Sequence, residues 1–309
     1  MLEKKIRILN FDHSLVKQKA LLSQYENEVI DLTDLGEKAR HWMNAQTRAR
    51  IEKRIPSPAR NCVNFLGSGD FHHISEILIS RFTEPLNLVS FDAHPDWTIL
   101  PPRFGCGSWV SEVLKKKNIL KAILLGVSSD DISSFLQIQT GNFAALKDDR
   151  LEIYPYAHQP SLTFLKRVPQ NLSLKVRPGI LLNKIYWTEL KDKNLEEFLP
   201  AIFQRLPAKK VYVSIDKDCL KSAYALTNWE EGRLTLEELL LMLKLIKENL
   251  DIVGLDIVGD YSEISLEGML KRIISRLDHP KDILARTFPE PVVIALNQET
   301  NLKILSAVL

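Results

Sequence analysis

The stretch LNLVSFDAHPDW, residues 86–97, joins a short apolar run to polar side chains at alternate positions. The apolar run, residues 86–91, is typical of a strand that is buried on both faces of a parallel sheet. Asp92, His94 and Asp96 follow at every second position, so in extended backbone all three side chains point the same way. Because the two acids repel one another once ionised, this pattern indicates a bound positive charge at the end of the strand.

Apolar runs of the same kind recur along the chain and alternate with helical patterns. The predicted strands are residues 6–10, 63–66, 86–91, 122–126, 152–154, 211–215, 252–257 and 292–295. The predicted helices include residues 74–82, 108–117, 195–206 and 235–250. This alternation predicts a three-layer α/β/α fold with a mostly parallel, eight-stranded sheet. No repeat or linker divides the sequence, so we expect a single domain over residues 1–309.

Charge, cysteine content and hydropathy exclude several classes of protein. The net charge of +2 is too close to balance to indicate a nucleic-acid or membrane partner. Cys62, Cys106 and Cys219 form no CxxC pair, which favours a reducing compartment over a disulfide framework. The sequence shows no signal peptide and no run approaching the roughly 18 apolar residues of a membrane span. We therefore expect a cytoplasmic protein.

Three polar clusters follow predicted strands. They are GSGDFHH (67–73), DAHPD (92–96) and DKDC (216–219). In an open parallel sheet, ligands collect beyond the carboxyl ends of the strands, so residues that are distant in sequence are expected to meet at that edge. The candidate metal ligands are Asp92, His94, Asp96, Asp216 and Asp218, together with His72 or His73.

The composition of this set points to bound metal. Four carboxylates within a few ångströms would not all stay ionised without a counter-charge, which one or two divalent cations would supply. Carboxylates mixed with imidazole suit Mn²⁺, with Fe²⁺, Co²⁺ or Zn²⁺ as alternatives. A metal pair could hold and ionise a water for attack on an electrophilic carbon. Taken singly, an Asp-x-Asp pair is more often a helix cap or a turn than a metal site. His13, His41, His158 and His279 have no recognisable ligand context.

The motifs resemble those of the ureohydrolases, the arginase and agmatinase group. DAHPD matches the Asp-Ala-His-x-Asp motif of that family, and SIDKD (214–218) matches the start of its Ser-x-Asp-x-Asp-x-x-Asp-Pro motif. GSGDFHH resembles an extended form of its Gly-Gly-Asp-His-Ser motif, with Phe71 as an additional residue. Motif order, spacing and total length agree, so the resemblance covers most of the chain and implies an arginase-like fold.

The resemblance also implies a ligand set and an activity. One ion would be held by His72 (or His73), Asp92, Asp96 and Asp216, and the other by Asp92, His94, Asp216 and Asp218. The family is typically a di-manganese hydrolase that splits a guanidino C–N bond with a metal-bridging hydroxide, to which Asp96 would accept a hydrogen bond in catalysis. Its members often form homo-oligomers and act on small molecules.

The sequence departs from the family on the substrate side. Ser108 or Trp109 stands where the family has a proton-shuttling histidine, and Gly259 stands where a glutamate binds the guanidinium. We therefore expect a changed substrate, a guanidino, amidino or amide small molecule, and regard arginase activity itself as doubtful. We hypothesise that Asp260 and Arg103 face the pocket. The alternative function is a metal-binding, non-catalytic ligand sensor or scaffold with the same fold.

Overall fold

The computed structural model describes residues 5–57, 62–164, 171–279 and 283–309. The strands are β1 (Lys5–Asn10), β2 (Glu26–Asp31), β3 (Val63–Phe65), β4 (Leu86–Phe91), β5 (Ile119–Leu125), β6 (Leu151–Tyr154), β7 (Ser161–Thr163), β8 (Leu174–Arg177), β9 (Asn183–Trp187), β10 (Lys210–Asp216) and β11 (Asp251–Val258). The helices are α1 (Lys19–Gln24), α2 (Thr33–Ala39), α3 (Ala45–Arg54), α4 (Ile74–Ile79), α5 (Trp109–Leu114), α6 (Phe143–Lys147), α7 (Leu195–Phe203), α8 (Leu236–Asn249), α9 (Met269–Asp278) and α10 (Glu290–Val308).

The main sheet has eight strands in the order β2-β1-β3-β11-β10-β4-β5-β6, and every neighbouring pair is parallel. Alternate side chains of a central strand enter different cores, as Ala122 and Leu124 of β5 do on one face and Ile123 and Leu125 on the other. Helices α2 to α5 cover the first face, and α1, α7, α8 and α10 cover the second. The predicted three-layer α/β/α fold is confirmed.

The prediction of a strand at residues 292–295 is wrong, because these residues lie in α10. Their run of β-branched residues is typical of a strand, but the buried positions Val293, Asn297, Thr300 and Ile304 recur every three or four residues, as in a helix. The eighth strand of the sheet is instead β2, whose sequence ENEVID is polar because it forms an edge with alternately exposed side chains.

A second sheet of three antiparallel strands, in the order β7-β9-β8, was not predicted. The single-domain organisation over residues 1–309 stays a prediction. Among the described residues, no helix is both long enough and apolar enough to cross a membrane.

The strand order places the three polar clusters together. Strands β3, β10 and β4 all lie within four neighbouring positions of the sheet, with β11 between β3 and β10. All run in the same direction, so the residues that follow them emerge at one edge. This edge is where the candidate site lies.

Candidate metal centre

His72 reaches the sheet edge through a short turn after β3. A 3-10 turn covers Gly69–Phe71 and is capped by the Ser68 hydroxyl, which accepts a hydrogen bond from the Asp70 amide. Phe71, the additional residue relative to the family motif, is fully buried and stacks on Phe11 with ring centroids 4.7 Å apart. The turn thereby absorbs the extra residue, and His72 is the first side chain to face the neighbouring acids.

Three carboxylates surround the His72 ring. Its Nδ1 atom lies 3.0 Å from Asp92 Oδ2, 3.3 Å from Asp96 Oδ2 and 3.5 Å from Asp216 Oδ2. All four side chains are buried, with the imidazole only 1% exposed. We call this set the inner group.

A second set, the outer group, lies on the other side of Asp92. His94 Nδ1 is 2.9 Å from Asp218 Oδ2 and 3.6 Å from Asp92 Oδ1. The amide of Ala93 donates to Asp218 Oδ1 at 3.0 Å, which fixes β10 and β4 in register at this point. Asp92 therefore belongs to both groups, one oxygen facing each histidine. The structure brings six predicted ligand residues together.

His73 does not join either group. It is buried at the start of α4, and its ring nitrogens make no hydrogen bond within the described part of the chain. Burial, with a smaller contribution from Lys271, lowers the pKa of His73 to about 3, so the ring stays neutral. Of the two histidines left open by the sequence, the geometry favours His72.

The acids of the cluster do not ionise independently in the metal-free protein. Burial and the Asp92 carboxylate raise the pKa of Asp96 to about 7 and that of Asp218 to about 6. Burial and the Asp218 carboxylate raise the pKa of Asp216 well above its usual value. These shifts have the sign expected of buried carboxylates that lie close to one another.

The pKa values of the two histidines are also raised, which favours the charged form of each ring. Burial lowers the pKa of His72, but its hydrogen bonds to Asp92 and Asp96 outweigh burial, so the net pKa lies well above the usual value. For His94 the Asp218 carboxylate likewise outweighs burial and raises the pKa. Protons on these rings supply the positive charge that the acids require. Four carboxylates and two imidazoles are also a donor set that suits divalent ions, so the residues present fit a metal pair.

A buried chain of hydrogen bonds holds the His72 ring from behind. Ser214 Oγ donates to Asp256 Oδ1 at 2.7 Å, and Tyr212 donates to Asp256 Oδ2 at 2.7 Å. The Ser214 hydroxyl has only one proton, so it accepts from His72 Nε2, 2.8 Å away. This leaves the Nδ1 lone pair of neutral His72 directed at the acids. The sequence motif includes Ser214, but nothing in it indicated Asp256.

A further cluster of two histidines and one acid lies beside the site. His279 Nε2 is 2.9 Å from Asp70 Oδ1, and His41 Nε2 is 3.1 Å from His279 Nδ1. The Arg40 guanidinium lies 2.5 Å from Asp70 Oδ2 and neutralises its charge. Unlike the inner and outer groups, this cluster is electrically balanced without a metal. No local sequence pattern indicated this cluster, because its members come from three distant segments.

Comparison with known proteins agrees with the geometry. Residues 181–261, which include β10 and β11, match the Arginase family. The proclavaminate amidino hydrolase of Streptomyces clavuligerus superposes with a TM-score of 0.57 at 12% identity, over 100% of this chain and 92% of that one. The formimidoylglutamase of Bacillus subtilis gives 0.55 at 14% identity, over 98% and 86%. The chain has the arginase fold. The predicted resemblance to the ureohydrolases is confirmed, at low sequence identity.

Two other relatives extend the comparison. A Thermotoga maritima protein described as uncharacterized is 25% identical over 260 residues, which are 84% of this chain and 81% of that protein. The Trypanosoma cruzi formiminoglutamase, whose structure is described with Mn²⁺, gives a TM-score of 0.53 at 13% identity, over 98% and 92% of the two chains. The likeness to solved structures shows the fold of this arginase-like chain.

The position of the family's shuttle histidine is filled differently in this arginase-fold chain. Trp109 packs over His72, with ring centroids 4.7 Å apart, and its Nε1 donates to Asp96 Oδ2 at 2.7 Å. The Ser108 hydroxyl contacts backbone carbonyls of its own loop, including that of Pro102 at 2.7 Å. Trp109 therefore anchors an acid of the inner group and has no titratable proton to carry near neutral pH.

The position of the family's guanidinium-binding glutamate cannot carry a side chain here. Gly259 has φ of +93°, and a Cβ atom on it would lie 2.4 Å from Asp216 Oδ1 and 2.8 Å from the Lys217 amide nitrogen. Both the backbone conformation and the close approach require glycine. Gly259 therefore cannot be replaced by the glutamate of the resembled family without moving Asp216 or the backbone at Lys217.

The hypothesis that Asp260 faces the pocket is wrong. The side chain is 1% exposed and pairs with the fully buried Lys217 ammonium at 2.9 Å. Gln18 Nε2 also donates to Asp260 Oδ1 at 2.6 Å. Asp260 thus compensates the lysine that this chain carries between its two metal-site acids. Arg103 lies exposed on the loop that follows Asp96, and its predicted contact with substrate stays a prediction.

We predict that Asp260→Ala lowers the free energy of unfolding by about 3–5 kcal/mol, because it leaves the buried Lys217 ammonium unpaired. The double variant Lys217→Met with Asp260→Leu should recover most of that loss. Urea unfolding of all three proteins measures both effects. A loss below about 1 kcal/mol for the single variant would show that the pair is not buried as described.

Proposed function

We propose that the chain is a divalent-metal hydrolase that cleaves a carbon–nitrogen bond in a small guanidino, amidino or amide substrate. The observation that carries the proposal is the convergence of the inner and outer groups on Asp92, at the carboxyl edge of an arginase-fold sheet. The similarity to the Arginase family and to an amidino hydrolase of the same fold supports this reaction class. Arginase activity itself is not proposed.

The ligand sets follow from the two groups. The inner ion would be held by His72, Asp92, Asp96 and Asp216. The outer ion would be held by Asp92, His94 and Asp218, to which the resemblance to the ureohydrolases adds Asp216. Mixed carboxylate and imidazole donors favour Mn²⁺. When bound, such ions supply a nucleophilic water at neutral pH and polarise the atom under attack.

The chain's own residues would then orient the reactants. Trp109 holds the Oδ2 atom of Asp96 through a hydrogen bond of 2.7 Å, and we assign to Asp96 the role of accepting a hydrogen bond from the attacking water. Trp109 and Trp229 cover the inner and outer histidines with apolar rings, which limits access of bulk water. The proton required by the leaving nitrogen would come from solvent, because Ser108 or Trp109 stands where the resembled family has the shuttle histidine, and neither is an acid near neutral pH.

The test is turnover of a compound panel after loading with Mn²⁺. Guanidino, amidino, formimino and acetylated amines are incubated with the loaded protein, and release of urea, ammonia or free amine is measured. Turnover of at least one class, lost in Asp92→Ala, is expected. The absence of turnover in every class overturns the proposed reaction.

A second candidate function is a metal-binding ligand sensor. The observation that favours it is that Ser108 or Trp109, and Gly259, stand where the resembled family carries two residues that act on substrate. Calorimetric titration of the loaded protein with the same panel separates the two functions. Tight binding without turnover supports the sensor, and binding with turnover supports the hydrolase.

Metal binding is expected to depend on pH. In the metal-free protein Asp96 and Asp218 hold protons below their raised pKa values of about 7 and about 6, so protons compete with the ion in this range. The apparent Mn²⁺ affinity should therefore rise by about tenfold or more from pH 6 to pH 8, with release of protons. Calorimetry in two buffers of different ionisation enthalpy measures both. An affinity that is independent of pH would contradict the shifts.

A further inference from the structure

The outer histidine has a carboxylate behind it that no motif includes. His94 Nε2 lies 3.3 Å from Glu230 Oε1, across 136 positions of sequence. A carboxylate only accepts hydrogen bonds, so Glu230 can hold the proton of neutral His94 on Nε2 when an ion binds at Nδ1. Nδ1 faces Asp218 and Asp92, the two acids of the outer group. This is the arrangement in which a carboxylate orients a metal-binding histidine.

The two histidines are thus oriented by supports of different kinds. His72 is hydrogen-bonded to Ser214, which in turn is hydrogen-bonded to Asp256. Both supporting residues are 0% exposed and lie on central strands of the sheet. Glu230 lies on the loop between β10 and α8, and its side chain is 48% exposed. A support in solvent is more mobile and more weakly coupled than one in the core. The outer group should therefore be the less rigid of the two.

The same loop forms the wall of a cavity beside the outer group. The cavity has a volume of about 180 Å³ and is lined by Asp218, Trp229, Glu230 and Glu231, with apolar residues including Leu226. The Trp229 ring stands edge-on to His94, with centroids 5.2 Å apart. Glu230 is therefore placed between the cavity and the outer histidine.

We propose that Glu230 is the positioning residue of the outer metal site and sets the affinity of that ion alone. The proposal rests on the two-metal site of the proposed function. The outer ion is the weaker and the more readily exchanged of the two, because its histidine depends on a half-exposed loop carboxylate. The inner ion does not depend on Glu230, since its histidine has an independent buried support.

The test is titration of the metal-free protein with Mn²⁺, in which free Mn²⁺ is followed by electron paramagnetic resonance. The wild type should bind two ions with separable affinities. Glu230→Ala should weaken the weaker ion by about 10–100-fold and leave the tighter ion unchanged. In Glu230→Gln the affinity for the weaker ion should lie between those of the wild type and Glu230→Ala, because the amide oxygen still accepts the hydrogen bond but has no charge. Glu231→Ala, the adjacent carboxylate on the same cavity, is the matched control and should bind as the wild type does.

The possible failures are distinguishable. Two ions in the wild type, with both affinities unchanged or equally weakened in Glu230→Ala, would overturn the role of Glu230 and leave the two-metal site intact. Equal weakening would show that the residue acts only through the general stability of the site. Fewer than two ions in the wild type would overturn the two-metal proposal and this inference with it.

Discussion

Asp92→Ala is expected to lose both metal ions. Asp92 directs Oδ2 at His72 and Oδ1 at His94, at 3.0 and 3.6 Å, so it belongs to the inner and the outer group. Removing an outer-sphere partner of a metal site typically costs 10–100-fold in affinity, and removing a shared direct ligand should cost each ion more than about 100-fold. The metal content, measured by mass spectrometry after dialysis, should fall from two ions per chain to none. Any turnover should also be lost.

The matched control is Asp251→Ala. Asp251 is an exposed aspartate at the opposite end of β11, far from the carboxyl edge of the sheet, so its removal should leave the metal content unchanged. Retention of both ions in Asp92→Ala would contradict the shared position of that carboxylate. Loss of one ion only would show that the two groups bind independently.

The Asp216→Asn variant is expected to be more stable than the wild type without metal and less stable than the wild type with bound Mn²⁺. Burial, Asp218 and Asp92 raise the pKa of Asp216 above its unfolded value of 3.8. A group of this sign contributes stability where it is protonated, and this contribution is lost as the pH rises. Near neutral pH the ionised acid therefore destabilises the metal-free protein, and a neutral asparagine should raise its free energy of unfolding.

Manganese should change that order. The wild type should gain about 2.7 kcal/mol at a free Mn²⁺ concentration of 100 times its dissociation constant. The variant should gain little, because it lacks a carboxylate that we propose binds both ions. Urea unfolding near pH 7.5, with and without Mn²⁺, measures the reversal. Near pH 5 the difference between the metal-free proteins should shrink, because Asp216 is then protonated more often. A metal-free variant less stable than the wild type near neutral pH would contradict the proposed repulsion.

The sheet was predictable to the extent that burial leaves a pattern in the sequence. Strands such as β4 and β10 are covered on both faces and read as apolar runs. The edge strand β2 was not predicted because its exposed side chains are polar. Residues 292–295 were predicted wrongly because a β-branched run does not distinguish a strand from one turn of a buried helix.

The site was predictable where its ligands share a strand end, and it was not where contacts depend on tertiary packing. Asp92, His94 and Asp96 lie at every second position after β4, so this spacing alone predicted that their side chains point the same way. The sequence could not decide between His72 and His73, because that depends on whether a turn absorbs Phe71. The contact of Glu230 with His94 joins segments 136 residues apart, and no local pattern reports it.

The most direct measurement is diffraction from crystals grown with Mn²⁺, with data collected on both sides of the manganese absorption edge. The account predicts two anomalous peaks, one within bonding distance of His72 Nδ1 and the other within bonding distance of His94 Nδ1, with the Asp92 carboxylate between them. Crystals in excess Mn²⁺ that show no peak beside Asp92 and Asp216, or peaks only on the surface of the protein, would contradict it.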